Sequence, residues 1–170
     1  TTLIRLITGL IHKSNGEIEL FGGSGEKALN EARTMIGSLI ETPSFYGNMT
    51  ARENLEVSRL VRDIPGKNCI DEVLNLVGLN DVEKKKVKNF SLGMKQRLGI
   101  AITLINSPEF LILDEPINGL DPLGVVEIRK LLTKLCTEQN MTILISSHNL
   151  PEMYQLATDY IFINKGEIIQ

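Results

Sequence analysis

Two neighbouring acids, Asp114 and Glu115, directly follow an unbroken apolar segment at residues 110–113 and directly precede Pro116. An apolar segment without alternation is typical of a strand buried on both faces of a parallel sheet. Because proline cannot donate to a strand ladder, we expect this strand to end before Pro116. Both acids would then lie at its carboxyl end, where open α/β sheets bind their ligands. Two adjoining carboxylates at a buried strand end are energetically unfavourable unless a cation or a protic group contacts them. A Mg²⁺ ion on a nucleotide together with an attacking water would satisfy this need. The alternative is that both acids lie in a solvated loop.

A second candidate site is Ser91, which precedes the apolar face of a predicted long helix and is followed two residues later by Gly93. Serine is a favoured N-cap, and a helix N-terminus with a hydroxyl and a glycine is a good anion site. Simple helix capping explains Ser91 equally well. It does not explain Gly93, because glycine in a helix costs about 0.5–1 kcal/mol relative to alanine.

Two further polar residues follow predicted strands. His148 comes after the strand-like segment 141–145 and two serines, and taken by itself it could simply be a polar residue that ends a strand. Asp121 precedes Pro122, and this pair predicts a helix with aspartate as its cap and proline at its first position.

The segments that position these residues alternate between strand and helix. Strands are predicted at 35–40, 110–114 and 141–145, and a closing hairpin at 160–163 and 167–169. A helix is predicted at 3–10, a strand at 16–22 with a glycine-rich turn at 22–25, and a short helix at 28–33. Thr50 and Glu53 form a capping box before one amphipathic helix, and a second ends at Gly78, so residues 48–97 are predicted as an all-helical insertion. The fold class is therefore α/β.

Length and composition restrict the class of protein. The chain has 170 residues, 42% of them hydrophobic, with a net charge of −3, which indicates one globular domain rather than a nucleic-acid-binding tail. The lysines at 84–86 and 88 form the one basic cluster, which is more typical of a solvated loop than of a phosphate or lipid site. No apolar run approaches the roughly 18 residues of a membrane-spanning helix.

The order and spacing of these motifs resemble the ATP-binding subunit of ABC transporters over essentially the whole chain. The matching segments are residues 90–97, the strand that ends in Asp114-Glu115-Pro116, residues 119–121, and His148 after a strand. The segment 91–97, together with residues 40–46, is most similar to exporters that give resistance to bacitracin-type and lantibiotic peptides. The resemblance implies a P-loop NTPase (RecA-like) core with a mostly parallel sheet at residues 1–47 and 98–170, and a helical subdomain at 48–97.

The resemblance also implies roles for individual residues. Asp114 matches the Walker B acid that holds Mg²⁺ through its water shell, and Glu115 matches the base that polarises the attacking water. Ser91 and Gly93 match the signature motif, which closes over the γ-phosphate of an ATP held by a second subunit. His148 matches the switch histidine that contacts the γ-phosphate, and Asp121 matches the acid of the D-loop at the dimer interface.

Thr1 and Thr2 match the end of the phosphate loop, the Walker A motif. Thr1 would place its hydroxyl on Mg²⁺, and Thr2 would reach a phosphate oxygen. Glu41 stands where the family usually has a glutamine that touches Mg²⁺, and it adds negative charge near the phosphates. The glycines, the lysine and the first strands that precede the two threonines in the family are absent from the sequence, so we expect weak ATP binding and negligible turnover from the 170-residue chain.

The function implied by the resemblance is ATP hydrolysis that drives export through a separate permease. The cofactors are ATP and Mg²⁺, and the partners are a permease helix in a groove near residues 42–46 and a second ATPase subunit, identical or homologous. The location would be the cytoplasmic face of a bacterial plasma membrane, with no nucleic acid bound.

One alternative is a soluble ABC-type ATPase acting on DNA or ribosomes. Members that act on chromosomes insert long heptad arms before the signature motif, and residues 48–97 carry no sustained heptads. The other is a non-catalytic dimerisation module, against which the presence of Asp114, Glu115 and His148 argues.

Overall fold

A computed structural model describes residues 1–41, 43–82 and 84–169. Short 3₁₀ turns at Asn80–Val82 and Val87–Asn89 accompany the helices and strands. In chain order the elements are α1 (Thr2–Ile7), β1 (Glu19–Leu20), β2 (Gly23–Ser24), α2 (Glu26–Arg33), β3 (Ile36–Leu39), α3 (Ala51–Val61), α4 (Asn68–Leu76), α5 (Leu92–Leu104), β4 (Phe110–Asp114), α6 (Pro122–Gln139), β5 (Thr142–Ser146), α7 (Leu150–Met153), β6 (Ile163–Asn164) and β7 (Glu167–Ile168). Among the described residues, no helix combines the length and the apolar character needed to cross a bilayer.

A three-stranded parallel sheet in the order β3-β4-β5 lies at the centre of the fold. The middle strand, β4, is the apolar segment that the sequence predicts as an interior strand, and its residues 111–113 are fully buried. The register pairs Leu39 with Leu113 and Asp114 with Ser146, so the carboxyl ends of the three strands meet at one edge. The prediction of an α/β fold with a parallel sheet is confirmed.

Helix α5 packs closely against β3 because two glycines allow the approach. A Cβ atom at Gly37 would lie 2.8 Å from the carbonyl oxygen of Thr103, and one at Gly99 would lie 3.0 Å from the Cγ of Pro43. At either distance the neighbour would have to move to admit a Cβ, so both positions favour glycine over every other residue. This contact fixes the position of α5, and of Ser91 at its start, relative to the sheet.

The segment between β3 and α5 contains α3, α4 and the two 3₁₀ turns. The capping box predicted at its start is present, since the Thr50 hydroxyl accepts from the Glu53 amide at 3.2 Å and the Glu53 carboxylate accepts from the Thr50 amide at 2.6 Å. An isolated antiparallel bridge between Thr50 and Lys86, which the sequence did not indicate, ties the segment's two ends together. The division of the chain into a core at 1–47 and 98–170 and a subdomain at 48–97 stays a prediction.

The strand predicted over residues 16–22 is wrong in its extent. Only Glu19–Leu20 pair, with Gly23–Ser24, and the chain turns at Phe21 and Gly22 rather than at residues 22–25. Phe21 and Gly22 have φ values of 51° and 76°, so both adopt the left-handed conformation that a two-residue hairpin turn requires. The glycine-rich stretch therefore supplies the second strand as well as part of the turn.

Candidate functional site

The buried carboxylate of Asp114 is the centre of the site. The side chain of Asp114 is 4% exposed and lies at the carboxyl end of β4. The hydroxyl of Thr1 donates to its two oxygens at 2.9 and 3.2 Å, and the hydroxyl of Ser146, brought opposite by the strand register, donates to Oδ1. Burial acts to raise the pKa of Asp114, but the hydrogen bonds from Ser146 and Thr1 act in the opposite direction, and the pKa is lowered.

Glu115 leaves the sheet in a strained conformation that directs it toward His148. Its φ of 52° lies in the left-handed region, which costs a non-glycine residue about 1–3 kcal/mol and is concentrated at functional sites. Its amide donates to the carbonyl of Ser146 at 3.0 Å. Its Oε1 atom lies 2.8 Å from Nδ1 of His148, whose side chain is 73% exposed. The two residues to which the resemblance assigns catalysis are therefore in direct contact.

Glu41 follows β3 and is the third acid at this edge of the sheet. Its φ of 61° is also left-handed, and its side chain is largely exposed. The carboxylate forms an ion pair with the guanidinium of Arg5 on α1.

A cleft of about 500 Å³ joins this edge of the sheet to the segment before and within α5. Three acidic residues line its sheet side, and two lysines line the side formed by the helical segment. The described residues that line it are Thr1, Glu41, Pro43, Phe45, Gly47, Val87, Lys88, Leu92, Lys95, Gln96, Asp114, Glu115 and Asn118. The cleft therefore has acidic, basic and apolar walls.

Ser91 and Gly93 lie at the exposed N-terminus of α5 rather than on this cleft. The Ser91 hydroxyl accepts from the amide of Met94 at 3.2 Å, which confirms the predicted N-cap. A Cβ atom at Gly93 would lie 3.9 Å from the nearest atom, the Cα of Gly124, which is ordinary van der Waals contact. Packing within this chain therefore does not require glycine at position 93.

Asp121 caps α6, as its sequence context predicts. Its Oδ1 atom accepts from the amide of Gly124 at 3.1 Å. Because Gly93 lies against Gly124, the N-termini of α5 and α6 adjoin. Asp121 and Ser91 therefore lie at adjoining helix starts, and neither lines the cleft.

The structure brings together four of the residues named from the sequence: Thr1, Asp114, Glu115 and His148. Glu41 lies on the same cleft, whereas Ser91, Gly93 and Asp121 do not line it, and Thr2 opens α1 with an exposed side chain. Thr42, part of the expected permease groove, lies outside the described residues.

Sequence reasoning missed Ser146 and Arg5. The signal for Ser146 was available, since a serine that ends the strand neighbouring β4 is expected to face the residue that ends β4. The signal for Arg5 was not, because its contact with Glu41 joins residues 36 positions apart through the placement of α1.

The donor set around Asp114 fits Mg²⁺ held together with phosphate. Mg²⁺ prefers oxygen ligands and is usually bound through one or two carboxylates plus substrate phosphates, with several waters retained. The Oδ2 atom of Asp114 and the hydroxyl oxygen of Thr1 are two such oxygen ligands, and they lie 2.9 Å apart. In the part of the chain that the structure describes, no group of three or more His, Cys, Asp or Glu residues forms an all-protein metal cage.

Comparison with known proteins identifies the class. The sequence model of the ABC transporter family matches residues 1–118, and the chain belongs to this family. Over 170 residues it is 51% identical to the bacitracin transport ATP-binding protein BcrA of Bacillus licheniformis, covering all of this chain and 56% of that protein. It is 47% identical to the lantibiotic transport ATP-binding protein SrtF of Streptococcus pyogenes, covering 99% of this chain and 72% of that protein.

The fold agrees with this class. The structure of cbiO1 from Clostridium perfringens, described as part of the ABC transporter complex cbiONQ, superposes with a TM-score of 0.89 at 27% identity, covering 99% of this chain and 70% of that one. The chain spans about half the length of BcrA, one of the curated relatives that it matches.

Proposed function

We propose that the protein carrying this chain is the ATP-binding and ATP-hydrolysing subunit of an ABC transporter that exports a bacitracin-type or lantibiotic peptide through a separate permease. Membership of the family and the transport names of the relatives support this function rather than action on DNA or ribosomes. The single observation that carries it is the end of β4, where Asp114 meets the Thr1 hydroxyl and Glu115 meets His148.

In this proposal Asp114 and Thr1, with Glu41 nearby, hold Mg²⁺, and Thr2 contacts a phosphate oxygen. When bound, Mg²⁺ neutralises charge on the phosphoryl oxygens. Glu115 orients the attacking water and accepts its proton, because phosphoryl transfer depends on an in-line nucleophile. His148 fixes the Glu115 carboxylate through its 2.8 Å contact and, since its side chain is exposed, is free to meet the γ-phosphate.

A second copy or a close homologue completes each site in this proposal. Ser91 is exposed at a helix N-terminus, where amides and the helix dipole favour an anion. Leu92 is 50% exposed, and Gly93 is not required by packing within the chain. These properties support a role for the α5 N-terminus outside its own chain, against the γ-phosphate of the partner's nucleotide, with Asp121 at the same interface.

The permease is proposed to contact the groove near residues 42–46, of which the structure describes 43–46, at the cytoplasmic face of the plasma membrane. Tyr46 in this segment is 59% exposed. Its backbone is fixed by the buried side chain of Asn54, which accepts from the Tyr46 amide at 2.9 Å and donates to its carbonyl at 3.2 Å. A rigid backbone that presents an exposed aromatic ring suits recognition of a helix from a partner.

The test of this function is the variant Glu115→Gln in the full-length protein. The glutamine side chain keeps the shape of glutamate but cannot accept the proton, so ATP hydrolysis should fall by about 10²-fold or more while ATP still binds. Phosphate release and size-exclusion chromatography with ATP should show lost turnover and an accumulated ATP-bound dimer.

Glu109→Gln is the matched control, because Glu109 is an exposed acid immediately before the opposite end of β4. This variant should hydrolyse ATP at the normal rate. A Glu115→Gln protein that also hydrolyses normally would remove Glu115 from its assigned role and refute the proposed chemistry.

A further inference from the structure

The Arg5–Glu41 ion pair joins α1 to the residue that follows β3, at the edge of the cleft. Arg5 lies one helical turn after Thr1, and its amide donates to the Thr1 carbonyl at 2.9 Å. The Arg5 and Glu41 side chains are 39% and 61% exposed, so the pair contributes little to folding stability. Its position beside Asp114 indicates a role in ligand binding at the cleft rather than in folding.

Each acid of the cleft has a different partner. Asp114 accepts from hydroxyls, and Glu115 contacts His148. Glu41 has a full positive charge, that of Arg5, as its partner. On the opposite wall, Lys88 donates to the side chain of Asn48 at 3.0 Å.

A bound triphosphate would bring several negative charges to the same cleft. An unpaired carboxylate at position 41 would repel it, because like charges repel and salt screens this repulsion only in part at an exposed side chain. A neutral glutamine at the same position would create no such repulsion. Glu41 therefore needs a compensating cation if this cleft is to bind polyphosphate.

We propose that Arg5 is a positioning residue that neutralises Glu41 and so makes an acid at position 41 compatible with a nucleotide triphosphate. This inference rests on the proposed function, since it presupposes that the cleft binds MgATP. Arg5 acts through Glu41 and does not itself contact the phosphates. Loss of Arg5 leaves a negative charge facing the ligand, whereas loss of both charges restores a neutral position.

The experiment is a double-mutant cycle on nucleotide affinity in the full-length protein. A fluorescent ATP analogue with Mg²⁺ is titrated into the wild type, Arg5→Gln, Glu41→Gln and the double variant, and circular dichroism checks that each is folded. Arg5→Gln should weaken binding by roughly three- to tenfold, and this loss should shrink in about 1 M salt, where charges are screened within about 3 Å. Glu41→Gln should bind more tightly, because it leaves the positive charge of Arg5 unpaired, and the double variant, in which both charges are gone, should return to about the affinity of the wild type.

The chain offers a matched control pair, Arg52 and Asp71, which form an ion pair at 2.5 Å between α3 and α4. Their side chains are 39% and 59% exposed, close to the values for Arg5 and Glu41, but neither lines the cleft. Arg52→Gln should leave nucleotide affinity unchanged.

The possible results separate this inference from the proposed function. If the double variant binds as weakly as Arg5→Gln, Arg5 acts through packing or direct phosphate contact, and the inference is wrong while the function stands. If Arg5→Gln binds nucleotide with wild-type affinity, the inference is also wrong and the proposed function still stands. If the wild type binds no nucleotide, the proposed function fails and this inference fails with it.

Discussion

At the scale of single residues, the site depends on how one buried carboxylate is kept charged. Asp114 lies in the sheet interior, where an ionised group is stable only if it receives hydrogen bonds. Two hydroxyls from different elements, Thr1 before α1 and Ser146 on β5, provide them. The charge is thus retained at a position from which it can face a cation.

The variant Ser146→Ala tests this arrangement. It removes one donor from a buried charged acceptor, which should lower the free energy of unfolding by about 1–3 kcal/mol. Urea denaturation followed by circular dichroism measures the loss. Ser14→Ala, at an exposed serine outside the helices and strands, should change stability by less than about 0.5 kcal/mol, and an equally small change for Ser146→Ala would contradict the account.

Residue identities were predictable where one short segment carries the information. Asp114, Glu115, Ser91 and Asp121 occupy the strand end and the helix caps that their neighbours in sequence indicate. Contacts between segments were not predictable in the same way. The Arg5–Glu41 pair depends on the rotation of α1 against the sheet, which no local pattern encodes.

At the scale of elements, local capping chemistry sets where α3 begins. The Thr50–Glu53 box satisfies two backbone amides, and Lys86 adds an ion pair to Glu53 at 3.2 Å. The hydrogen bond from the Thr50 backbone and that from Lys86 lower the pKa of Glu53 below its ordinary value of 4.5. A carboxylate whose pKa is lower in the folded state stabilises the fold above its unfolded pKa and loses this contribution as pH falls through the folded value.

The variant Glu53→Gln should therefore lower the urea midpoint at pH 7. Its difference from the wild type should shrink as pH falls below 4.5 and through the lowered pKa of Glu53, because both proteins then carry a neutral side chain at position 53. Glu72→Gln removes an exposed acid of α4 outside the box and should leave the midpoint at pH 7 unchanged. A difference for Glu53→Gln that is constant with pH would mean that its charge does not matter.

Element types were predictable from periodicity, while some boundaries were not. The parallel strands and the capped helices follow from apolar patterns and cap residues. The position of the turn in the β1–β2 hairpin was not predictable from such patterns, because Phe21 adopts a positive φ that its residue type disfavours. The isolated bridge between Thr50 and Lys86 is likewise a tertiary contact without a local signal.

At the scale of the whole molecule, two glycines of α5 serve different surfaces. Gly99 is buried against Pro43 and Leu39, where an added Cβ would lie 3.0–3.2 Å from their side chains. Gly93, nearly two turns earlier on the same helix, has room for a Cβ at 3.9 Å from its nearest neighbour. Folding accounts for the first glycine, whereas the proposed function assigns the second to the site of a partner subunit.

Alanine at these two positions should therefore have opposite effects in the full-length protein. Gly99→Ala should lower the free energy of unfolding by about 1 kcal/mol or more, because overpacking outweighs the gain in helix propensity. Gly93→Ala should keep or raise stability by up to about 1 kcal/mol, since alanine favours the helix and meets no close neighbour. It should nevertheless abolish ATP-dependent dimerisation, because its methyl group would stand between the α5 amides and a phosphate of the partner's nucleotide. Urea denaturation measures the stability of both variants, and light scattering with ATP in the Glu115→Gln background measures dimerisation. A Gly93→Ala protein that still dimerises with ATP would show that the N-terminus of α5 does not close the site of a partner subunit.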